Sequence, residues 1–258
     1  MKSIQFGEYG SPFQVVEVPT PTLEPGQLLV KMAVASVNPR DVSVRDGVFR
    51  HIPPPVGPSS KIVGLEGSGV VVASSEDAQT YPVGSFVFFR QAYHLPHGGT
   101  WQEYVVATPQ DLLPIPPGKD MFEAAAIRIP YHTALLGLEK AGFQRAGDPN
   151  QVVFVPAVGS AVGNAAIQLV RAFGIQEPIT TAGNSAKAEK ARALGYSKVI
   201  DLSTEPLVDG VRRLTNGVGV DVAIDMLGGA YTGQILSILK PGKHWWFVAC
   251  LLALKRAF

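Results

Sequence analysis

The chain has 258 residues, 46% of them hydrophobic and 17% charged, so it can bury a sizeable core in one or two domains. Its net charge of +1 gives no reason to expect a nucleic acid or an anionic membrane as a partner. The single cysteine, Cys250, excludes an internal disulfide framework and a cysteine-rich zinc site.

The sequence shows neither a targeting peptide nor a membrane-spanning segment. Its start is neither a long apolar core nor an amphipathic basic stretch. The longest uncharged apolar run, Trp245 to Leu254, has ten residues, about half of what a bilayer span needs. We therefore expect a soluble cytoplasmic protein.

Residues 1–124 have the pattern of a β domain. Side chains alternate with a period of two, as at Leu28, Val30, Met32 and Val34, and proline and glycine separate the short segments. The predicted strands are 14–18, 28–34, 68–74, 85–90 and 103–107. Short strands with frequent breakers predict an antiparallel, barrel-like β domain.

Two stretches of this domain contain candidate site residues. In residues 36–47 a long strand ends at Asn38 and leads into a short helix, and residues 64–69 open another strand. Asn38 and Asp41 suit turn and helix-capping positions, which is the simpler interpretation. Asn38 also offers hydrogen-bond donors and an acceptor at a strand end, where it can face a bound ligand.

His94 and His97 are spaced like a pair of metal ligands. They lie in a loop rich in proline and glycine, with no third ligand nearby. A zinc site needs at least three protein ligands, so we predict no metal at this place.

Residues 125–258 alternate strands and helices. The predicted strands are 152–155, 178–182, 198–201, 220–225 and 245–250. The predicted helices are 124–142 with an interruption at Pro130, one that starts at Ala161, and 185–194, 206–216 and 231–239. Such alternation predicts a parallel sheet with right-handed crossovers and a ligand at the carboxyl ends of the strands.

The turn after the first of these strands predicts a phosphate site. A run of small residues leads from Val155 to a helix that starts at Ala161, whose first N–H groups can hold a diphosphate. If a G-x-G-x-x-G motif ends at Gly163, Val158 and Ser160 occupy its first two glycine positions. The motif alone is therefore weak, and a packed turn without a ligand is the alternative.

The second strand bears on the choice of cofactor. An NAD site has an acid about twenty residues after the glycine turn, and residues 181–187 contain none. Small polar groups such as Asn184, together with Lys187, suit the 2′-phosphate of NADPH. The alternative for Lys187 is an ordinary solvated lysine on a helix.

The order of a β domain followed by a glycine-turn domain resembles the medium-chain dehydrogenase/reductase superfamily. The resemblance is strongest to its zinc-free branch of quinone reductases and enoyl-thioester reductases. The stretches that carry it are VNPRD (37–41), GLEGSG (64–69), GTWQEYVVA (99–107), HTALLGL (132–138), VGSAVGNAAIQL (158–169), ALGYSKVID (193–201) and DMLGG (225–229).

This resemblance implies an α/β fold with a GroES-like catalytic β domain at residues 1–124. A doubly wound, NADP-binding Rossmann domain that lacks its last strand is expected at residues 125–258. Family members continue for several dozen residues beyond this end, so the expected exposed sheet edge favours either pairing with another chain, as in a homodimer, or poor stability.

The resemblance also implies site residues, and NADPH as the cofactor. Asn38 and Thr133 would contact the nicotinamide end, and His132 is either a packed helix residue or a site group. Other cofactor contacts are expected at Ser160, Ala161 and Val162 for the diphosphate, Asn184 and Lys187 for the 2′-phosphate, and Leu227 and Gly228 for the ribose. Asn38 stands where zinc-dependent alcohol dehydrogenases have a cysteine, so no metal is expected.

Phe49 is a departure from the family pattern. Enoyl reductases of this branch have a tyrosine there, which can donate a hydrogen bond or a proton to an enolate, whereas phenylalanine cannot. This disfavours an enoyl thioester and leaves a quinone or a simple enone as substrate. Asn38, Phe49 and Thr133 are the candidate catalytic positions, and Asn38 can either polarise the acceptor oxygen or hold the ribose.

Three functions remain for comparison. The leading hypothesis is an oxidoreductase that transfers hydride from NADPH to a small molecule, either a quinone or an activated C=C bond of an enone or enoyl thioester. The second is a truncated, non-catalytic NADPH-binding protein that acts as a sensor or scaffold. The third, an NAD-dependent alcohol dehydrogenase, is disfavoured by the missing cysteines and the missing acidic ribose ligand.

Overall fold

A computed structural model describes residues 1–51, 61–76, 78, 80–90, 92, 95–145 and 148–247. The chain divides into two compact units, Met1–Ile129 and Pro130–Phe258. The boundary expected from the sequence, between residues 124 and 125, lies slightly closer to the amino terminus. No helix in the described part of the chain is long and apolar enough to cross a membrane.

The first unit is built from antiparallel strands, as the alternating pattern predicts. The strands are β1 (Lys2–Phe6), β2 (Phe13–Glu17), β3 (Leu28–Ala35), β4 (Gly67–Ser74), β5 (Phe86–Phe89), β6 (Tyr104–Ala107) and β7 (Leu112–Pro114). β1 pairs with β2, and the other five form one sheet in the order β6-β3-β4-β5-β7. Leu28 and Val30 of β3 are fully buried and Lys31 is exposed, so the period of two places one face in the core.

Two strands of this unit were not predicted. Ser3, the second residue of β1, faces the core although it is polar. The alternation of apolar residues that marks a strand is therefore interrupted there. β7 has only three residues, the last of them a proline, so it is too short to show an alternating apolar pattern. Both strands owe their structure to pairing with a neighbour rather than to a local signal.

Three helices and one turn complete the description of this part of the chain. They are α1 (Pro39–Arg45), a single 3₁₀ turn (Pro109–Asp111), α2 (Met121–Ala125) and α3 (Arg128–Lys140). The predicted single helix over 124–142 is wrong, since α2 ends before α3 begins. Pro130 does not interrupt α3, because it lies in the first helical turn, where its missing N–H would have had no partner.

The second unit contains a five-stranded parallel sheet among its described residues. Its strands are β8 (Val153–Val155), β9 (Ile179–Ala182), β10 (Val199–Asp201), β11 (Val220–Asp225) and β12 (Leu239–Phe247). The order is β10-β9-β8-β11-β12, or 3-2-1-4-5 within the unit. This is the order of a doubly wound, dinucleotide-binding sheet, so the predicted fold class is confirmed.

Helices cover both faces of this sheet. They are α4 (Ala161–Ala172), α5 (Ser185–Ala193), α6 (Leu207–Leu214) and α7 (Ala230–Ser237), together with most of α3. Val153 and Val155 pack with α4, whereas Phe154 between them packs with α6 and α7. The central strand is therefore buried on both faces, which explains its uninterrupted apolar sequence.

The fifth strand differs from its prediction. β12 starts at Leu239 rather than at residue 245, and it continues through Pro241 and Gly242. Its register against β11 shifts between Val220 and Val222, which marks an irregularity that absorbs the proline and glycine. The helix predicted over 231–239 ends at Ser237 as a result, and residues 248–250 of the predicted strand lie outside the described residues.

Candidate functional site

The turn between β8 and α4 is closed by the side chain of Ser160. Ser160 is the N-cap of α4, and its Oγ accepts the N–H of Gly163 at 3.0 Å. The same hydroxyl donates to the carbonyl oxygen of Ala157 at 2.9 Å. The side chain is thus folded back onto its own turn, which is how a serine can occupy a position where this motif usually has glycine.

Two N–H groups remain at the start of α4. The first helical i→i−4 bond runs from the N–H of Asn164 to the carbonyl oxygen of Ser160, at 2.9 Å. Because Ser160 takes the N–H of Gly163 and none of the described residues accepts from Ala161 or Val162, these two N–H groups are left for a ligand. Ala161 and Gly159 are exposed. A diphosphate fits this place, since N–H groups and the positive end of the helix dipole point toward it.

Gly163 allows α4 to lie against the preceding strand. A β-carbon at this position would collide with the carbonyl oxygen of Ala157 and lie 2.7 Å from that of Pro156. Glycine is therefore required here by close packing, which is the expected role of the last glycine of the motif.

The residue with left-handed backbone geometry in this turn is Ala157, whose φ is +58°. Val158, which the motif spacing puts in the first glycine position, does not have this geometry and is buried in the core. Thr181 of β9 holds both residues. Its Oγ1 accepts the N–H of Ala157 at 2.9 Å, and its carbonyl oxygen accepts the N–H of Val158 at 3.0 Å. The sequence signal for Thr181 is a polar residue within a fully buried strand.

The residues predicted for the 2′-phosphate lie at the start of α5. The side-chain oxygen of Asn184 caps that helix by accepting the N–H of Lys187 at 3.0 Å, so only its amide N–H₂ group is left for a ligand. The Lys187 side chain is exposed, and no ion pair or hydrogen bond involves its ammonium group among the described residues.

An acid that the sequence analysis missed lies beside this helix. Asp201 ends β10, in register with Ala182 of β9, and is buried. It accepts hydrogen bonds from the hydroxyls of Ser185 and Ser203, each at 2.6 Å, and from the N–H of Ser203 at 2.9 Å. These bonds, that of Ser185 first, hold the pKa of Asp201 below its ordinary value. The site therefore contains a carboxylate, contributed by the third strand instead of the second.

A second buried acid shapes the turn after β11. Asp225 accepts the N–H groups of Leu227 and Gly228 through Oδ1, both at 2.9 Å, and the hydroxyl of Thr232 through Oδ2 at 2.6 Å. The backbone donors of Leu227 and Gly228 are thus already used. Their predicted contact with a ribose would have to run through carbonyl oxygens. The sequence feature that could have identified Asp225 is its position as an acid at the end of an apolar strand.

In the first unit, Asn38 lies at the amino end of α1 and is 8% exposed. Its amide Nδ2 donates to Ser36 Oγ at 3.0 Å and to Glu66 Oε1 at 3.1 Å. Its backbone N–H donates to Asp41 Oδ2 at 2.7 Å. The predicted capping role of this segment and the predicted polar site at Asn38 therefore coexist.

The other two candidate catalytic positions differ in burial. Phe49 is 8% exposed, and the guanidinium of Arg40 lies 4.6 Å from the centre of its ring. Thr133 is half-buried on α3, and its neighbour His132 is exposed rather than packed. Of the predicted residues, Asn38 and Phe49 belong to the first unit. Those of the second unit are Thr133, Ser160, Ala161, Val162, Asn184, Lys187, Leu227 and Gly228.

The carboxyl ends of the parallel strands bring most of the second set to one edge of the sheet. All of its members except Thr133 lie in the turns after β8, β9 and β11 or in the first turn of the helix that follows. This is the edge at which doubly wound sheets bind their ligands, on either side of the position where the strand order reverses.

Two family models match the chain. One described as "Alcohol dehydrogenase GroES-like domain" matches residues 24–117, and one described as "Zinc-binding dehydrogenase" matches residues 161–254. The crystal structure of a candidate NADPH:quinone reductase from Bacillus thuringiensis is 31% identical, with a TM-score of 0.78, and the match covers 95% of this chain and 71% of that one. The chain belongs to the medium-chain dehydrogenase/reductase superfamily.

Other similar members of the superfamily have different names. The crystal structure of an NAD-dependent alcohol dehydrogenase is 30% identical with a TM-score of 0.81, over 94% of this chain and 76% of that one. The human synaptic vesicle membrane protein VAT-1 homolog is 34% identical over 86% of this chain. The match covers 53% of the human protein, so this chain spans about half the length of such relatives.

The superfamily includes zinc-dependent members, and one of the two family models is described as zinc-binding. Within the described ranges, no group of three or more His, Cys, Asp or Glu residues is arranged to hold a metal ion. Cys250 and His94 lie outside those ranges. Independence from zinc stays a prediction for this superfamily member.

Proposed function

We propose that the protein is an NADPH-dependent oxidoreductase that transfers a hydride to a quinone or a simple enone. The observation that carries the proposal is the start of α4, where Ser160 folds back and the N–H groups of Ala161 and Val162 are left for a diphosphate. The strand order of the second unit supports the same ligand, because this order is typical of dinucleotide-binding domains.

The reduced nicotinamide, when bound, supplies the hydride, and the protein binds, orients and shields the reactants. In the proposal, Ala161 and Val162 donate hydrogen bonds to the diphosphate. Asn38 and Thr133 contact the nicotinamide end, as the superfamily pattern implies. Phe49 has no proton to give, so solvent protonates the product oxygen. A quinone or simple enone tolerates this better than an enoyl thioester does.

The preference for NADPH over NADH depends on Lys187. An exposed ammonium group without an ion pair in the described part of the chain is suited to a 2′-phosphate. Asp201 is the feature that opposes it, since an ionised carboxylate close to α5 repels a phosphate. The hydroxyls of Ser185 and Ser203 point their protons at this carboxylate and so offset part of its charge. We therefore favour NADPH and make NADH the competing outcome.

The resemblance to a candidate NADPH:quinone reductase supports the substrate class, and the asparagine at position 38 supports a metal-free reaction. Zinc independence is tested by dialysis against a chelator, after which the proposed activity is retained. Loss of activity that zinc restores would contradict this part of the proposal.

The central test measures nucleotide binding and turnover separately. Titration with NADPH and NADH by protein fluorescence gives the two dissociation constants. Stopped-flow oxidation of NADPH in the presence of a panel of quinones, enones and enoyl thioesters gives the activity. We expect turnover with quinones or enones. Tight NADPH binding without turnover of any acceptor would instead favour a non-catalytic NADPH-binding protein, and absence of nucleotide binding would refute both.

A further inference from the structure

We infer that Glu66 is a positioning residue that makes Asn38 a pure hydrogen-bond acceptor toward its ligand. The inference rests on the proposed function, in which Asn38 meets the nicotinamide end of the cofactor. It assigns Asn38 to the cofactor's ribose or carboxamide, which have hydrogen atoms to donate. It thereby excludes that Asn38 polarises the oxygen of the quinone.

Glu66 lies directly before β4 and is 2% exposed. Its Oε1 accepts the hydroxyl of Ser36 at 2.9 Å and the amide of Asn38 at 3.1 Å. Its Oε2 accepts the N–H of Ile129, in the first turn of α3, at 2.8 Å. The buried carboxylate is therefore held by three donors from two segments, the link between β3 and α1 and the first turn of α3, which fixes its position.

The partners of the two N–H bonds in the Asn38 side chain determine which way its amide group faces. The amide has two N–H bonds, and the two acceptors within reach are Glu66 Oε1 and Ser36 Oγ. Ser36 gives its own proton to Glu66, so its oxygen is free to accept from Asn38. A carboxylate accepts and cannot donate, so the N–H₂ side of Asn38 must face Glu66. The orientation of the amide follows from its partners.

Only Oδ1 of Asn38 is then left for a ligand. The backbone N–H of Asp41 takes one lone pair of Oδ1 in the capping box of α1, and the second lone pair of this oxygen, which can only accept, is open to a ligand. A ribose hydroxyl or the N–H₂ group of a nicotinamide carboxamide can bind there. A quinone carbonyl cannot, because two acceptor oxygens repel each other. The negative charge behind the amide polarises it further and strengthens Oδ1 as an acceptor.

A positively charged side chain lies close to Glu66. Arg128 precedes Ile129 in α3, and its pKa is lowered by burial and by the nearby positive charge of Arg90, while Glu66 raises it. The guanidinium of Arg128 thus lies within electrostatic range of Glu66.

Glu66→Gln is the discriminating variant. A glutamine keeps the size of the side chain but has one acceptor and one donor end. It cannot accept from Ser36, Asn38 and Ile129 together, so Asn38 is released to turn its N–H₂ group outward. We expect the affinity for NADPH to fall about tenfold, the effect of one lost hydrogen bond of ordinary strength. We expect the KM for the quinone at saturating NADPH to stay unchanged.

Adenosine 2′,5′-bisphosphate separates this effect from general damage. It lacks the nicotinamide and its ribose, so its affinity should be the same in the wild type and in Glu66→Gln. Ser36→Ala is the milder variant and removes a single partner of the amide. We expect it to weaken NADPH binding two- to threefold, again with unchanged binding of the bisphosphate.

A double-mutant cycle tests whether Glu66 acts through Asn38. Asn38→Ala should weaken NADPH binding about tenfold, and adding Glu66→Gln should then have no further effect. Additive losses, or unchanged NADPH affinity in Glu66→Gln, would overturn the inference. So would a raised KM for the quinone with normal NADPH binding. If wild-type protein bound neither NADPH nor the bisphosphate, the proposed function itself would fall.

Discussion

Asp201 and Ser185 join the ends of two neighbouring segments of the nucleotide-binding unit through a hydrogen bond of 2.6 Å. Asp201 ends β10, and Ser185 begins α5. The bond consumes the hydroxyl proton of Ser185, which therefore cannot be donated to a phosphate. It also keeps an acid ionised beside the place where the adenosine of a dinucleotide is expected.

This pair makes stability depend on pH in the acidic range. The pKa of Asp201 lies below its ordinary value of 3.8 because Ser185 and then Ser203 donate to the ionised form. The folded state is therefore stabilised above that ordinary value, and the contribution is lost as the pH falls through the lowered pKa. We expect the unfolding free energy of Asp201→Asn, measured in urea from pH 3 to pH 6, to change less with pH than that of the wild type. Glu189→Gln, at an exposed position of α5, is the control and should follow the wild type.

Lys187 is expected to discriminate between the two nucleotides. Lys187→Ala removes the ammonium group proposed for the 2′-phosphate, and a charge-assisted hydrogen bond of about 1.5–3 kcal/mol corresponds to at least a tenfold loss. NADPH should bind at least ten times more weakly, with no change for NADH. Lys190→Ala removes an exposed lysine of the same helix and should change neither constant beyond a small salt-dependent effect. Equal losses for both variants would assign the effect to net charge, and no loss for Lys187→Ala would rule out its role.

The arrangement of the second unit could be predicted largely from sequence, whereas its details could not. Apolar β-branched runs with short links identify β8 and β11, because strands buried on both faces need uninterrupted apolar side chains. The predicted bounds of β11 are those found. The start of β12 was predicted too late because its first half contains Pro241 and Gly242, which disfavour a strand. Pairing with β11, and not local sequence preference, makes this segment a strand.

The candidate site shows the same division between local and distant contacts. Residues that follow a strand or open a helix, such as Ser160 and Asn184, can be found from their neighbours in sequence. Asp201 and Glu66 could not, because their partners Ser185 and Asn38 are 16 and 28 residues away. The left-handed geometry of Ala157 could not be predicted either, since the turn is held by Thr181 on another strand.

Gly163→Ala should damage the turn that holds the diphosphate. A β-carbon there meets the backbone oxygens of Ala157 and Pro156, which cannot move without displacing β8 or α4. We expect a loss of about 1–3 kcal/mol in the unfolding free energy, the usual range for an overpacked position. Gly159→Ala is the matched control, because a β-carbon there meets nothing within 4 Å and its backbone is not left-handed. Urea titrations of the two variants should differ clearly, and equal stability would contradict the close packing described for α4.

Ala157 and Val158 give opposite expectations for the same substitution. At Ala157 a glycine relieves the left-handed geometry, a gain of about 1–2 kcal/mol, but makes the unfolded chain more flexible, a loss of about 0.5–1 kcal/mol. The net change in unfolding free energy should lie between zero and a gain of about 1.5 kcal/mol. At Val158 a glycine removes a buried side chain from the core that includes Val155, so we expect a loss of about 2–4 kcal/mol. Urea unfolding of the two variants measures both changes. If Val158→Gly were the better tolerated of the two, the core packing of Val158 and the left-handed geometry of Ala157 would be contradicted.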